Sequence, residues 1–166
     1  GVSYLMSVSK NNIINIEPSK IFAYELQNFI SYRNIDDLLK NNQNKEKIDV
    51  VYSSHTIEHL TDPISFFKKI SKIIKDTGVF FIEVPNCRKS KTDKDYAEGG
   101  CDGKITGSHL IYFTKDFFEN FESEIFFFKE EDNGENYIEV KTEDDADCIR
   151  AIIKAEKINN WISKLN

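Results

Sequence analysis

The sequence predicts an α/β domain built around a parallel β-sheet, and three segments indicate this fold class. Residues 48–52 are β-branched or aromatic apart from one aspartate, which is typical of a buried strand. Asp62 and Pro63 then begin a helical pattern, with the aspartate as N-cap and the proline at the first helical position. Residues 79–84 are apolar apart from one glutamate, as expected for a strand buried on both faces. Strand, helix and strand in this order make the βαβ unit of a parallel sheet.

The same alternation is predicted for the chain before this unit. Residues 13–16 are expected to form a strand, and Ser19 is expected to cap a helix over residues 20–29. Residues 30–32 are predicted as a short strand and residues 35–39 as one or two helical turns. Strands and helices therefore alternate from near the start of the chain.

The helix that begins at Pro63 is expected to continue to residues 76–78, where Asp, Thr and Gly form a stop signal. Its buried face is predicted from apolar residues at helical spacing: Ile64, Phe67, Ile70, Ile73 and Ile74. Lysines lie between them, so the opposite face is expected to contact solvent.

The last third of the chain predicts a short helix, two antiparallel strands and a final helix. The short helix is expected over residues 115–121 and the strands over residues 125–128 and 137–140. Apolar residues at helical spacing predict a C-terminal helix over residues 146–165. The phenylalanine run 126–128 is expected to form an edge strand packed on that helix, with a homodimer surface as the alternative.

Composition and charge narrow the classes of function. A chain of 166 residues with 40% hydrophobic and 30% charged residues predicts one globular domain over residues 1–166. The net charge of −6, without a stripe of Lys and Arg, argues against a nucleic-acid partner. No apolar run approaches the roughly 20 residues that cross a bilayer, and no signal peptide is visible. The three cysteines are unpatterned, which predicts reduced thiols and a cytoplasmic protein.

One connection in the sequence is longer than an ordinary loop. Residues 86–108 are polar and contain several glycines. Long loops of this kind are usually functional or disordered. We therefore expect residues 86–108 to form a lid over an active site.

The segment from residue 48 to residue 63 carries a specific family resemblance. It contains Asp49-Val50-Val51, then Glu58-His59-Leu60 and Asp62-Pro63, at the spacing of a fourth strand and the helix after it. In this pattern the chain resembles the S-adenosylmethionine-dependent methyltransferases with the Rossmann-like fold. The resemblance covers about residues 1–140. It implies a three-layer sandwich with a mostly parallel sheet and antiparallel final strands, a small-molecule acceptor, S-adenosyl-L-methionine as cofactor and S-adenosyl-L-homocysteine as product.

The resemblance also implies which residues bind the cofactor. Glu17, at the end of the second family strand, would accept hydrogen bonds from both ribose hydroxyls, although it could instead cap a helix. The adenine would pack on Ile35 and bond to Asn34 or Asp36. The methionine part would be lined by the residues that follow the strand predicted over residues 48–52: Ser53, Ser54 and His55.

The sequence departs from the family at its beginning. Members of the family have a first strand that ends in a Gly-rich turn, approximately D-x-G-x-G-x-G. Here the chain starts on Gly1-Val2-Ser3, where Gly1 would be one of those glycines and Ser3 would replace another. We therefore expect the first strand to be missing, because the chain is a fragment or its numbering starts inside a longer protein.

His55, Glu58 and His59 are candidate catalytic residues, spaced to share one face if the segment is helical. In a first interpretation, His55 is a general base that takes a proton from a substrate hydroxyl. In a second, the three residues hold a divalent metal with His109 as a fourth ligand, a nitrogen-rich set suited to zinc, iron or nickel. In a third, Glu58 and His59 are structural and bond the loop backbone and each other.

His109 belongs to a second match with the family. His109, Tyr112, Phe113 and Thr114 fit the pattern H-x-x-[YF]-[FW]-[TS] that follows the fifth family strand. This resemblance implies that His109 lies over the pocket mouth. There it would contact substrate or orient the 86–108 loop.

The function expected from these observations is methyl transfer to the oxygen of a small hydroxylated acceptor. A sugar or surface-polysaccharide precursor is favoured, because the polar loop and His109 suit a hydroxylated ligand. Two alternatives stay open. The chain would be a non-catalytic methyltransferase-fold scaffold if the missing Gly-rich turn removes the cofactor site, or a nucleotide-sugar enzyme that uses a different dinucleotide.

Overall fold

The computed structural model describes residues 13–18, 30–41, 47–86, 110–131 and 136–165. Gly1, His109, the helix expected at 20–29 and the loop expected at 87–108 lie outside these described residues. The chain divides into two compact units, Gly1–Glu46 and Lys47–Asn166. Whether they form a single domain stays a prediction, and each unit is described by itself.

The first unit contains a pair of parallel strands and a helix. Strand β1 (Ile14–Ile16) pairs with strand β2 (Ile30–Tyr32), and helix α1 (Ile35–Asn41) follows. Leu38 of this helix is buried. All three elements were expected from the sequence. The two strands form a two-stranded sheet.

The second unit contains a five-stranded sheet with helices. In chain order its elements are β3 (Ile48–Ser54), a 3-10 turn (Ile57–His59), α2 (Pro63–Ile70), β4 (Ile74–Pro85), α3 (Lys115–Glu119), β5 (Glu124–Glu130), β6 (Tyr137–Val140), a second 3-10 turn (Glu143–Asp145), β7 (Cys148–Lys154) and α4 (Ala155–Ser163). Among the described segments, no helix is long and apolar enough to cross a bilayer.

The sheet of the second unit has the strand order β3-β4-β7-β5-β6. Strands β3 and β4 are parallel, whereas β7 runs antiparallel to both β4 and β5, and β6 runs antiparallel to β5. Three of the five strands, β3, β4 and β5, therefore point the same way. This mixed sheet agrees with the predicted α/β class, including the antiparallel final strands.

The core of the second unit lies between one face of this sheet and its helices. The central strands contribute alternating residues that are fully buried: Phe80, Ile82, Val84, Ile149, Ala151 and Ile153. Aromatic side chains of the helices cover them, with Phe67 of α2 6.0 Å from Phe80 and 6.2 Å from Trp161 of α4, measured between ring centroids. This packing anchors β4, and the candidate site lies at the carboxyl ends of β4 and its parallel neighbour β3.

The predicted C-terminal helix over residues 146–165 is wrong in its first half. Residues Cys148–Lys154 form strand β7, and only Ala155–Ser163 are helical. A short apolar run fits a buried strand as well as a buried helix, so the sequence period does not separate them. The position between β4 and β5 decides in favour of the strand, because both neighbours supply ladder hydrogen bonds.

Two other expectations about packing are also wrong. Helix α2 ends at Ile70, and Ile74 begins β4 instead of extending the helix; Ile64 is 41% exposed. The phenylalanine run 126–128 does not lie in an edge strand, because β5 is paired on both sides, with β7 and β6. The Asp62 cap is confirmed, since its side chain accepts a hydrogen bond from the backbone N–H of Ser65.

Gly78 allows β4 to pass close to β3, and its replacement is expected to destabilise the protein. A Cβ atom at Gly78 would lie 2.6 Å from Ile74 Cγ1, 2.9 Å from the Lys75 carbonyl oxygen and 3.0 Å from that of Asp49. Because two of these neighbours are backbone, we expect Gly78→Ala to lower the free energy of unfolding by about 1–3 kcal/mol. Urea denaturation measures this, and an unchanged midpoint would contradict the close approach.

Candidate active site

Strand ends in the first unit carry the residues expected to bind the nucleoside. Glu17 follows β1 directly, and its backbone N–H donates to the Tyr32 carbonyl at the end of β2. Because β1 and β2 are parallel, Glu17 and the residues after Tyr32 lie at the same edge of the pair. Glu17, Asn34, Ile35 and Asp36 therefore lie at one edge of this strand pair, and their role in binding a nucleoside stays a prediction.

Asn34 has a structural role that the sequence analysis did not assign. Its Oδ1 accepts a hydrogen bond from the Asp37 backbone N–H at 2.9 Å, and its Nδ2 donates to Asp37 Oδ2 at 3.0 Å. Asn34 thus caps helix α1. Ile35 is partly buried and Asp36 is exposed at the start of the same helix. Adenine binding by Asn34, Ile35 and Asp36 stays a prediction.

In the second unit, the end of β3 places His55 in an unusual backbone conformation. His55 has a φ of 46°, in the left-handed region that non-glycine residues rarely occupy. Its backbone N–H donates to the Glu83 carbonyl on β4 at 3.0 Å, which continues the pairing of the two strands. Left-handed residues held in place by their surroundings concentrate at functional sites. This backbone turn directs the chain away from the sheet immediately after Ser54.

The His55 ring lies between two carboxylates. Its Nδ1 is 3.6 Å from Glu58 Oε1, and its Nε2 is 3.6 Å from Glu83 Oε1. The His55 side chain is 44% exposed, whereas those of Glu58 and Glu83 are 2% and 9% exposed. An accessible imidazole is therefore held by two buried acidic groups, one on each ring nitrogen.

These carboxylates change the acid–base behaviour of His55. The Glu58 carboxylate, through its contact and its negative charge, raises the pKa of His55 above the ordinary value, and Glu83 adds to the effect. Partial burial and the positive charge of Arg150 oppose the rise without cancelling it. His55 is therefore a stronger base than an isolated imidazole, which suits proton transfer near neutral pH.

Glu58 is buried without a hydrogen-bond partner for either carboxylate oxygen among the described residues. Besides His55, its Oε1 lies 3.7 Å from His59 Nε2. Its backbone carbonyl accepts from the N–H groups of Leu110 and Ile111 at 2.8 and 3.1 Å, so the segment after β4 docks on this turn. The proposed shared helical face is wrong in detail, since His55 precedes the 3-10 turn that holds Glu58 and His59.

The sequence analysis missed a second acidic residue, Glu83, near the end of β4. Its Oε1 accepts a hydrogen bond from Ser54 Oγ at 2.7 Å, and its Oε2 accepts from Arg150 Nε on β7. The signal in the sequence was a lone charge inside the apolar run 79–84, since a buried charge requires a partner. That partner is 67 positions away, so the sequence did not identify it.

The structure gives different support to a metal site and to a cofactor site. Within the described segments, no group of three or more His, Cys, Asp or Glu side chains is arranged to hold a metal ion. His109, the fourth ligand in the metal interpretation, lies outside those segments. Ser53 Oγ is buried with no hydrogen-bond partner in the described part of the chain. A buried hydroxyl of this kind is a donor available to a polar ligand.

Comparison with known proteins bears on the family and the fold of this chain. A family model described as a methyltransferase domain matches residues 5–123. The chain belongs to the methyltransferase domain family. The interpretation of the sequence as a Rossmann-like, class I S-adenosylmethionine-dependent methyltransferase is confirmed at the level of the family and the fold.

Individual proteins and solved structures are also similar to this chain. A ubiquinone biosynthesis O-methyltransferase of Pelagibacter ubique (strain HTCC1062) is 35% identical over 83 residues, which are 49% of this chain and 32% of that protein. The match thus spans about a third of the relative. A S-adenosylmethionine-dependent methyltransferase structure from Archaeoglobus fulgidus has a TM-score of 0.61 at 16% identity, covering 92% of this chain and 81% of its own.

A second solved structure has the same fold. It is a methyltransferase from Thermotoga maritima described as a possible histamine N-methyltransferase. It aligns with a TM-score of 0.58 at 14% identity, covering 86% of this chain and 72% of its own. At these identities both structures bear on the fold alone. The roles of His55, Glu58, His59 and His109 stay predictions.

Proposed function

We propose that this methyltransferase transfers a methyl group from S-adenosyl-L-methionine to the oxygen of a small hydroxylated acceptor, with His55 as the general base. The observation that carries the proposal is the accessible His55 ring, held at the end of a parallel strand between Glu58 and Glu83. Family membership supplies the reaction class. The name of the Pelagibacter relative, an O-methyltransferase, supports oxygen as the accepting atom.

Residues at the strand ends suit the cofactor chemically. The Glu17 carboxylate would accept both ribose hydroxyls, and Asp36 would accept the adenine amino group. Ser53 and Ser54 would line the methionine part, where the unpartnered Ser53 hydroxyl suits a polar ligand atom. Gly1 would approach the cofactor with its backbone. When bound, S-adenosyl-L-methionine would supply a methyl group carried on a positively charged sulfur. The acceptor oxygen would form a bond to the methyl carbon, and the sulfur would keep the electron pair of the carbon–sulfur bond that breaks.

His55 would take the proton that the acceptor hydroxyl loses. Glu58 and Glu83 stabilise the resulting imidazolium, because each faces one ring nitrogen at 3.6 Å. The remaining task of the protein is to align the acceptor and exclude water, and we assign this to the 86–108 loop and His109. The buried Glu58 would orient the His55 ring, and the exposed His59 would lie on the other side of the Glu58 carboxylate contact.

The two classes of acceptor differ in how strongly deprotonation of their hydroxyl depends on a general base. A phenol loses its proton near pH 10, so a histidine base assists it modestly, whereas a sugar hydroxyl is less acidic and depends on the base more strongly. We favour a sugar or surface-polysaccharide precursor, on the polar character of the 86–108 loop. Parallel assays with a phenolic and a sugar acceptor would separate the two classes.

Replacing Glu17 with alanine is expected to weaken binding of S-adenosyl-L-homocysteine. Loss of charge-assisted hydrogen bonds to two hydroxyls costs about 1.5–3 kcal/mol, or roughly ten- to a hundredfold in Kd. Isothermal titration calorimetry of both proteins measures the change. Lys40→Gln, an exposed change on α1 of the same unit, serves as the matched control and should bind like the parent.

The calorimetry also tests the scaffold alternative. A cooperatively folded chain that binds no S-adenosyl-L-homocysteine would contradict the enzyme proposal and favour a non-catalytic module. If the parent and Glu17→Ala bind S-adenosyl-L-homocysteine with equal affinity, only the proposed role of Glu17 is contradicted, and the enzyme proposal is not. Circular dichroism of each variant confirms folding before either conclusion is drawn.

A further inference from the structure

We propose that Glu83 is a positioning residue of this active site, which holds the His55 ring over the ends of β3 and β4 from an anchor on β7. The proposal rests on the proposed role of His55 as base. It assigns a function to the Glu83–Ser54–Arg150 cluster, defined as those three side chains.

The Glu83 carboxylate is itself held in place by neighbouring donors. Ser54 Oγ donates to Oε1 at 2.7 Å and Arg150 Nε donates to Oε2, so each carboxylate oxygen has a donor. The Arg150 guanidinium lies over the Phe128 ring, 3.8 Å from its centroid, and is held from that side as well. Donors from β3 and β7 therefore orient a carboxylate on β4 before any substrate arrives.

Glu83 contacts His55 through both its backbone and its side chain. Its backbone carbonyl accepts from the His55 N–H at 3.0 Å, and its Oε1 faces the ring Nε2 at 3.6 Å. The backbone contact supports the left-handed conformation of His55, which costs about 1–3 kcal/mol unless the surroundings hold it. The side-chain contact limits rotation of the ring.

Charged groups from three elements surround the His55 ring. Glu58 faces Nδ1 from the 3-10 turn, Glu83 faces Nε2 from β4, and the positive charge of Arg150 acts from β7. Arg150 bonds to Glu83, so it partly neutralises that carboxylate. Glu83 consequently offers an aligned contact to the ring while retaining less of the negative charge that would repel an electron-rich acceptor oxygen.

A purely structural role for Glu83 predicts different results. A part-buried ion pair between β4 and β7 would matter only for stability, and its loss would alter kcat and the acid limb of the pH–rate profile only through unfolding. A positioning residue affects catalysis in protein that remains folded. The decisive measurements are therefore made on folded variants.

The test is Glu83→Gln, which keeps the size and one of the two acceptor oxygens but removes the charge. We expect kcat to fall on the order of tenfold with the acceptor KM nearly unchanged, since misplaced catalytic groups slow chemistry more than binding. The acid limb of the pH–rate profile should move to lower pH. Nuclear magnetic resonance of the imidazole signals, assigned with His55→Gln, should show a lower pKa for His55 in the variant; this readout needs no activity.

Two further variants keep the test decisive. Ser54→Ala removes one donor to Glu83 but keeps its charge, so it should lower kcat in smaller degree and shift the His55 signals without the fall in the pKa of His55, even if Glu83→Gln fails to fold. Asp49→Asn breaks the exposed pair with Lys75 that joins β3 and β4 at the opposite end, and should leave kcat and the His55 signals unchanged.

Each outcome bears on one proposal. Unchanged His55 signals and unchanged kcat in folded Glu83→Gln and Ser54→Ala would overturn the positioning role. Shifted His55 signals in a chain with no methyl transfer to any hydroxylated acceptor would support the Glu83 contact and contradict the proposed function. A fall in kcat with unmoved signals would also overturn positioning, because the effect would not act through His55.

Discussion

Replacing His55 with alanine is expected to lower kcat for methyl transfer by about a hundred- to ten-thousandfold, the usual contribution of a positioned general base. The ring is accessible at the end of β3, and carboxylates face both of its nitrogens. Because the main role proposed for His55 is to bind a proton, the affinity for S-adenosyl-L-homocysteine should fall much less than kcat, although the ring is also expected to line the methionine part of the cofactor. Initial-rate kinetics and calorimetry together measure the two quantities.

The dependence of the rate on pH tests whether His55 acts as a base. A base works only when unprotonated, so the rate should rise as the pH passes the pKa of His55, which Glu58 holds above its ordinary value. Glu58→Gln removes that charge, and the acid limb should move to lower pH. Tyr52→Phe is the matched control, since Tyr52 is a second exposed group of β3 stacked on Phe81. A full-rate His55→Ala would show that the acceptor needs no such base.

The largest loss of stability is expected from Phe67→Ala. Phe67 is 0% exposed, and its ring lies 6.0 Å from those of Phe80 and Phe121 and 6.2 Å from that of Trp161. Removing a fully buried phenylalanine typically costs about 3–5 kcal/mol through lost transfer energy and the cavity left behind. Urea denaturation, followed by Trp161 fluorescence, measures the loss.

Phe66 is the matched control for this variant, because it is the adjacent residue on α2 and is only partly buried. Phe66→Ala should cost clearly less than Phe67→Ala. Equal losses would contradict the placement of Phe67 at the centre of the helix–sheet core. Phe67→Ala should also increase the fraction of molecules in which β3 and β4 are unfolded, because the Phe67 ring packs near Phe80 on β4.

Much of the candidate site was accessible from the sequence because its signals are local. The strand that ends at Ser54 and the Asp62–Pro63 helix start depend on residues a few positions apart, and the structure has both. The same holds for β1, β2 and α1, with Glu17 and Asp36 at their ends. These elements agree with local propensity and with the family pattern, so the two sources of inference did not conflict.

The errors lie where distant strands compete with local preference. Residues 146–165 have apolar spacing that suits a helix, yet β7 is drawn into the sheet because β4 and β5 each present an open ladder edge to it. Phe126–Phe128 was placed at an edge because the sequence does not state strand order. Ile64 was expected to be buried because the periodicity of α2 does not define the limits of its covered face.

The sequence by itself determined the family, the polar residues at the strand ends and the candidate base His55, because each depends on short segments of fixed spacing. The tertiary structure decided what surrounds that base. Only the pairing of β3, β4 and β7 brings Ser54, Glu83 and Arg150 together, across separations of 29 and 67 positions. Contacts at such separations are set by strand order and register, which long-range hydrogen bonding and core packing select together.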